Sequence, residues 1–81
     1  MIEKTIKVSA SLESRPAALF VQAASKFSSH IHVKIDNKTV NAKSIMGMIS
    51  IGILDGQEIT ILAEGSDQDA AILELQRILQ S

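Results

Sequence analysis

The chain has 81 residues, a net charge of −1 and 46% hydrophobic residues. This predicts a single domain over residues 1–81 with a small core rather than a disordered segment. It has no cysteine, tryptophan or tyrosine, and Phe20 and Phe27 are its two aromatics. That composition excludes a disulfide framework, a thiolate nucleophile or ligand, and an aromatic platform for stacking bases.

No apolar run approaches membrane-spanning length, and the first residues lack the basic-then-apolar layout of a signal peptide. The expectation is therefore a cytoplasmic protein without a membrane partner. Residues 1–43 carry seven of the eight lysines and arginines against three acids, a balance of +4, whereas residues 44–81 carry Arg77 against six acids, a balance of −5. Two arrangements fit this division: a mildly basic face for an anion or acidic partner, or a fold that interleaves the two halves. Neither is basic enough for direct nucleic-acid binding.

In chain order, Ile2, Ile6, Val8 and Ala10 share one parity and Glu3, Thr5, Lys7 and Ser9 the other, which predicts a half-buried first strand. Ser11 to Ser14 link it to Arg15-Pro16, where proline in a first helical turn sacrifices no hydrogen bond. A helix follows from about Ser14 to Ser28, with Phe20, Ala24 and Phe27 on one stripe, Leu19 and Ala23 alongside, and Gln22, Ser25 and Lys26 outward. Ile31, Val33 and Ile35 alternate with His30, His32 and Lys34 in a second strand. Asp36-Asn37 forms a tight turn into a short third strand over Lys38 to Ala42, with Val40 inward.

Next comes the densest apolar stretch, Asn41-Ala42-Lys43-Ser44-Ile45-Met46-Gly47-Met48-Ile49-Ser50-Ile51. Ser44 suits the N-cap of a short helix that Gly47 and Gly52 keep brief. Ile45, Met46, Met48, Ile49 and Ile51 supply more apolar surface than so short a helix turns inward, so part of it faces a partner. Asp55-Gly56 turns the chain into a fourth strand over Glu58 to Glu64, with Ile59, Ile61 and Ala63 on one face. Beyond Gly65, Ser66 opens a last helix with Asp67 and Asp69 in its first turn and an Ala71, Ile72, Leu75, Ile78, Leu79 stripe. The order βαββαβα predicts an α+β open-faced β-sandwich, a four-stranded antiparallel sheet with three helices on one face.

Few residues are equipped for chemistry. His30 and His32 point to one face, but no pattern supplies the further ligands of a metal site, so no metal and no cofactor are expected. No glycine-rich phosphate loop of standard spacing is present, and the acids of the second half read as caps and strand-edge charges, so the chain is not expected to be an enzyme. Two segments remain. At Glu13-Ser14-Arg15-Pro16, a helix N-terminus and a guanidinium make an anion seat, or Glu13 complements the dipole and pairs with Arg15. At Ser44, the hydroxyl either caps the helix alone or also carries a phosphate beside Lys43.

Along its whole length and in element order, the chain resembles the HPr family of the bacterial phosphoenolpyruvate:sugar phosphotransferase system, which implies an HPr-like open-faced β-sandwich. Asn41-Ala42-Lys43-Ser44-Ile45-Met46-Gly47 matches the family's regulatory-serine segment. Arg15-Pro16-Ala17 matches the residues that follow its active-site histidine, and Glu13 stands where that histidine belongs. A carboxylate would give a labile acyl phosphate in place of a phosphohistidine, so no catalytic residue is assigned and carrier chemistry is not expected.

The resemblance implies phosphorylation of Ser44 by an ATP-dependent HPr kinase/phosphorylase. It further implies that the phosphorylated form is a corepressor for a CcpA-type regulator in carbon catabolite repression, with Arg15, Lys43, Ile45, Met46 and Ile49 at the interface. Family members often carry methionine at the position of Ile49. The link before Glu13 is about two residues shorter than is usual in the family, which implies a homodimer formed by exchanging residues 1 to about 10. The alternatives are a phosphocarrier that still works with enzyme I and a constitutive scaffold in which Glu13 imitates a charged active centre.

Overall fold

The computed structural model describes residues 1–9, 14–52 and 56–80, with residues 14–16 described by their backbone alone. The strands are β1 (Ile2–Lys7), β2 (His30–Ile35), β3 (Lys38–Asn41) and β4 (Glu58–Glu64), and the helices are α1 (Ser14–Ser25), α2 (Ile45–Ile51) and α3 (Gln68–Leu79). All strand pairs are antiparallel and the spatial order is β1-β4-β2-β3, so the last strand in sequence fills the gap between the first two.

Period-two alternation decides which face of the sheet is covered. Ile6, Ile31, Val33, Ile35, Ile59, Ile61 and Ala63 are buried on the helix side, while Glu3, Thr5, Lys7, His30, His32, Lys34, Glu58 and Glu64 are exposed on the other. Phe20 from α1, Met48 from α2, and Leu75 and Leu79 from α3 close the core. Each such side chain contributes roughly 1.5–3 kcal/mol on leaving water. Val8 continues the edge ladder beyond β1: its N–H donates to the Gln57 carbonyl at 2.8 Å and its carbonyl accepts from Gly56 N–H at 2.7 Å.

The expected architecture is present, with three local differences. Helix α1 stops at Ser25 rather than near Ser28. Lys26 and Phe27 donate to carbonyls three residues back (3.2 Å each), tightening the chain out of the helix. The N–H groups of Ser28 and Ser29 then turn to the Asp67 carboxylate at 2.9 and 3.0 Å, and the buried Ser29 hydroxyl donates to the same group. Leu19, expected beside the buried stripe, is 57% exposed, because it lies on the rim of the open groove between α1 and α3, with Gln22, Lys26 and Arg77.

The third difference concerns the start of α3. Its N-cap is Asp67 rather than Ser66, and the Asp67 side chain makes no cap bond of its own. Instead Gln68 Oε1 accepts from Gly65 N–H at 3.2 Å. The hydrogen bond from the Ser29 hydroxyl, followed by that from Ser28 N–H, holds the Asp67 carboxyl at about 2, against an ordinary 3.8. Asp67 is thus no solvated cap; it joins the α1–β2 turn to the β4–α3 turn.

Candidate functional site

The Ser44 segment is assembled from the turn that leaves β3. Asn41 Oδ1 accepts from Lys43 N–H at 2.8 Å and the Asn41 carbonyl from Ser44 N–H at 3.0 Å, so one asparagine shapes both sides of the turn. Ala42 is buried and its N–H donates to the Ile31 carbonyl at 2.9 Å, which anchors the turn to the sheet. Ser44 arrives with extended backbone (φ −105°, ψ 114°), the conformation of an N-cap. Its Oγ accepts from Gly47 N–H at 3.1 Å, and its carbonyl accepts from Met48 N–H at 3.0 Å.

Gly47 makes this geometry easy, since a Cβ there would sit 3.3 Å from Ser44 Oγ and 3.4 Å from Val40 Cβ. At the other end Gly52 closes α2 in the left-handed conformation (φ 64°, ψ 57°). Seven residues make about two turns, so the apolar residues divide between two faces. Met48 and Ile51, three apart, are buried against the core. Ile45, Met46 and Ile49 form the outer stripe, 37%, 74% and 45% exposed. The half-buried Ser44 therefore stands at the end of an uncovered apolar patch.

Lys43, expected beside any Ser44 phosphate, is half-buried and its Nζ donates to the Phe27 carbonyl at 2.7 Å. In this state its charge is directed at the end of α1. Arg15 lies in the first turn of α1. Glu13, and with it any pairing between Glu13 and Arg15, lies outside the described residues, as does Ala10. His30 and His32 are both exposed on the open face of β2. Among the described residues no group of three or more His, Cys, Asp or Glu could hold a metal, and no helix is long and apolar enough to cross a membrane.

Sequence reading missed the Asp67–Ser28–Ser29 junction, next in the chain to the Phe27 carbonyl that Lys43 holds. Its partners are 38 and 39 residues apart, so no local spacing signals it. The available hint was Gly65, where a Cβ would lie 2.6 Å from Ser29 Oγ and 2.7 Å from Ser29 Cα.

Comparison with known proteins shows the family. The family model described as the PTS HPr component phosphorylation site matches residues 2–81. The HPr-like protein Crh of Halalkalibacterium halodurans is 49% identical over 74 residues, spanning 89% of this chain and 88% of that protein. A crystal structure of the phosphocarrier protein HPr from Bacillus anthracis superposes with a TM-score of 0.93 at 47% identity, covering 98% of this chain and 96% of the other. The crystal structure of Bacillus subtilis Crh, described as an intertwined, domain-swapped dimer, matches with a TM-score of 0.80 at 41% identity, covering 98% and 93%. The chain thus belongs to the HPr family, and within it resembles the HPr-like Crh proteins.

Proposed function

We propose that this protein is an HPr-like regulator of carbon catabolite repression whose switch is Ser44. In this reading an ATP-dependent HPr kinase/phosphorylase transfers the γ-phosphoryl group to Ser44 Oγ, and the phosphorylated form acts as corepressor for a CcpA-type regulator. The observation that carries it is an N-cap hydroxyl bordering the exposed Ile45, Met46 and Ile49 stripe. A phosphate at this position keeps acceptors for the first-turn N–H groups and adds negative charge where the helix dipole favours it. The patch then presents charge and apolar surface side by side without any need to unfold α2. Arg15, Lys43, Ile45, Met46 and Ile49 form the proposed contact surface, with Lys43 exchanging the Phe27 carbonyl for the phosphate.

Glu13, at the family's histidine position, supports a regulator over a carrier, as do relatives named Crh. The carrier reading draws on the phosphocarrier HPr neighbours. It requires a phosphoryl label from phosphoenolpyruvate and enzyme I, and none is expected. Incubation with ATP and HPr kinase should add one phosphate and create binding to a CcpA-type repressor, both abolished by Ser44→Ala. Labelling that survives the substitution defeats the assignment. Repressor binding that ignores Ser44 but fails in Glu13→Gln would instead establish the constitutive scaffold. The domain-swapped dimer of Bacillus subtilis Crh supports a homodimer here too, formed by exchange of the edge strand β1.

A further inference from the structure

The chain has three methionines and no cysteine, so its sulfur chemistry rests on Met1, Met46 and Met48. Met46 and Met48 differ sharply: Met46 is 74% exposed on the outer stripe of α2, whereas Met48 is 0% exposed in the core. Met1 is also exposed, but it precedes the edge strand β1, while α2 packs against α1 and the opposite edge strand, β3. Met46 is therefore the accessible thioether on the face that carries Ser44, two residues from that hydroxyl.

We propose that Met46 is a reversible oxidation site, and that its sulfoxide weakens docking on the Ser44 face. The oxidant is a peroxide. A sulfur lone pair attacks one peroxide oxygen, the O–O bond breaks and the S–O bond forms. The leaving hydroxide takes the proton of the transferred oxygen and departs as water, so the thioether loses the two electrons that the peroxide gains. Exposure governs which methionine reacts, which favours Met46 over Met48. The product replaces a flexible apolar side chain with a polar one at the most exposed point of the apolar stripe. A partner covering that stripe would bury an S–O dipole without a hydrogen-bond donor designed for it, which costs binding free energy. Phosphate at Ser44 and oxygen at Met46 would thus act in opposite directions on one surface.

The docking part rests on the proposed function, and two separate readouts keep the two distinguishable. The full chain is treated with hydrogen peroxide and followed by peptide mapping and thermal melting. Met46 sulfoxide should form well ahead of Met48 sulfoxide, with the melting temperature unchanged because Met46 lies outside the core. Oxidation of Met48 at the same rate in the folded protein overturns the site. Protein phosphorylated on Ser44 is then titrated with a CcpA-type repressor before and after peroxide. Affinity should fall about tenfold and return after treatment with methionine sulfoxide reductases A and B. Met46→Leu, compared with its own untreated form, should be insensitive to peroxide. A Met46 sulfoxide that binds as tightly as the thioether, or an equal peroxide effect in Met46→Leu, overturns the docking role. An untreated phosphoprotein that the repressor ignores overturns the proposed function, and the docking role with it, while the peptide map still decides whether Met46 is the oxidation site.

Discussion

Ser44 caps α2, and the proposed function adds a phosphate to the same hydroxyl; substitution can separate the two. As a cap it satisfies Gly47 N–H, so Ser44→Ala should lower stability by about 1 kcal/mol. For a domain of this size that is a fall in melting temperature of roughly 4–8 °C. Ser44→Asp should keep the cap and melt near the wild type, because aspartate caps as well as serine, yet it should take no phosphate from HPr kinase. Asp67 is the other residue whose chemistry can be read directly. Its carboxyl titrates at about 2 in the folded chain against an ordinary 3.8, so its stabilising contribution is complete above 3.8 and disappears as pH falls through about 2. Asp67→Asn should be less stable at neutral pH. Its stability should also fall less than that of the wild type across this acidic interval, as urea midpoints at a series of pH values would reveal.

Among the elements, the turns connecting α1–β2 and β4–α3 are the least tolerant, because they nearly touch. Gly65, at φ +153°, leaves no room for a methyl group against Ser29 Cα and Oγ. Gly65→Ala should therefore cost about 2 kcal/mol or more, read as a lower urea midpoint with unchanged slope. Helix α2 shows the converse tolerance. Its inner residues, Met48 and Ile51, complete the core, whereas Ile45, Met46 and Ile49 face outward, Met46 furthest. Lys43 and Asp67 hold the α1–β2 turn from opposite ends, a cation on the Phe27 carbonyl and an anion on the Ser28 and Ser29 N–H groups. Substitution of Lys43 would therefore reach the end of α1 directly, through the Phe27 carbonyl.

For the whole molecule, folding interleaves the two charge halves of the sequence within the sheet. Strand β4 from the acidic half lies between β1 and β2 from the basic half, setting Glu58 opposite Lys7 and Glu64 opposite His30. The interleaved arrangement is the one adopted by the sheet. Strand β1 is an edge element with β4 as its one strand partner, and Lys4, in register with the buried Ile61, is exposed. A lysine at such a register discourages further strands from adding to the edge. Exchange of β1 between two copies re-forms the same pairing with β4, so little but the connecting link separates monomer from dimer. If this chain swaps in that way, inserting two glycines after Ala10 should shift the population toward monomer in light-scattering chromatography; an unchanged dimer fraction would point to another interface.

The sequence alone determined what depends on short-range pattern. Alternation marked β1, β2 and β4 and the Asp36-Asn37 turn marked β3; the three-to-four spacing marked α1 and α3, and a serine ahead of Ile45 marked the cap of α2, since each signal arises within a few residues of one chain segment. Tertiary structure decided what depends on meetings between distant residues. It left Leu19 uncovered, turned Lys43 toward Phe27, and drew the Asp67 carboxylate away from its own helix to Ser28 and Ser29. A lysine or aspartate has several adequate partners near any helix end, and packing brings one of them within reach.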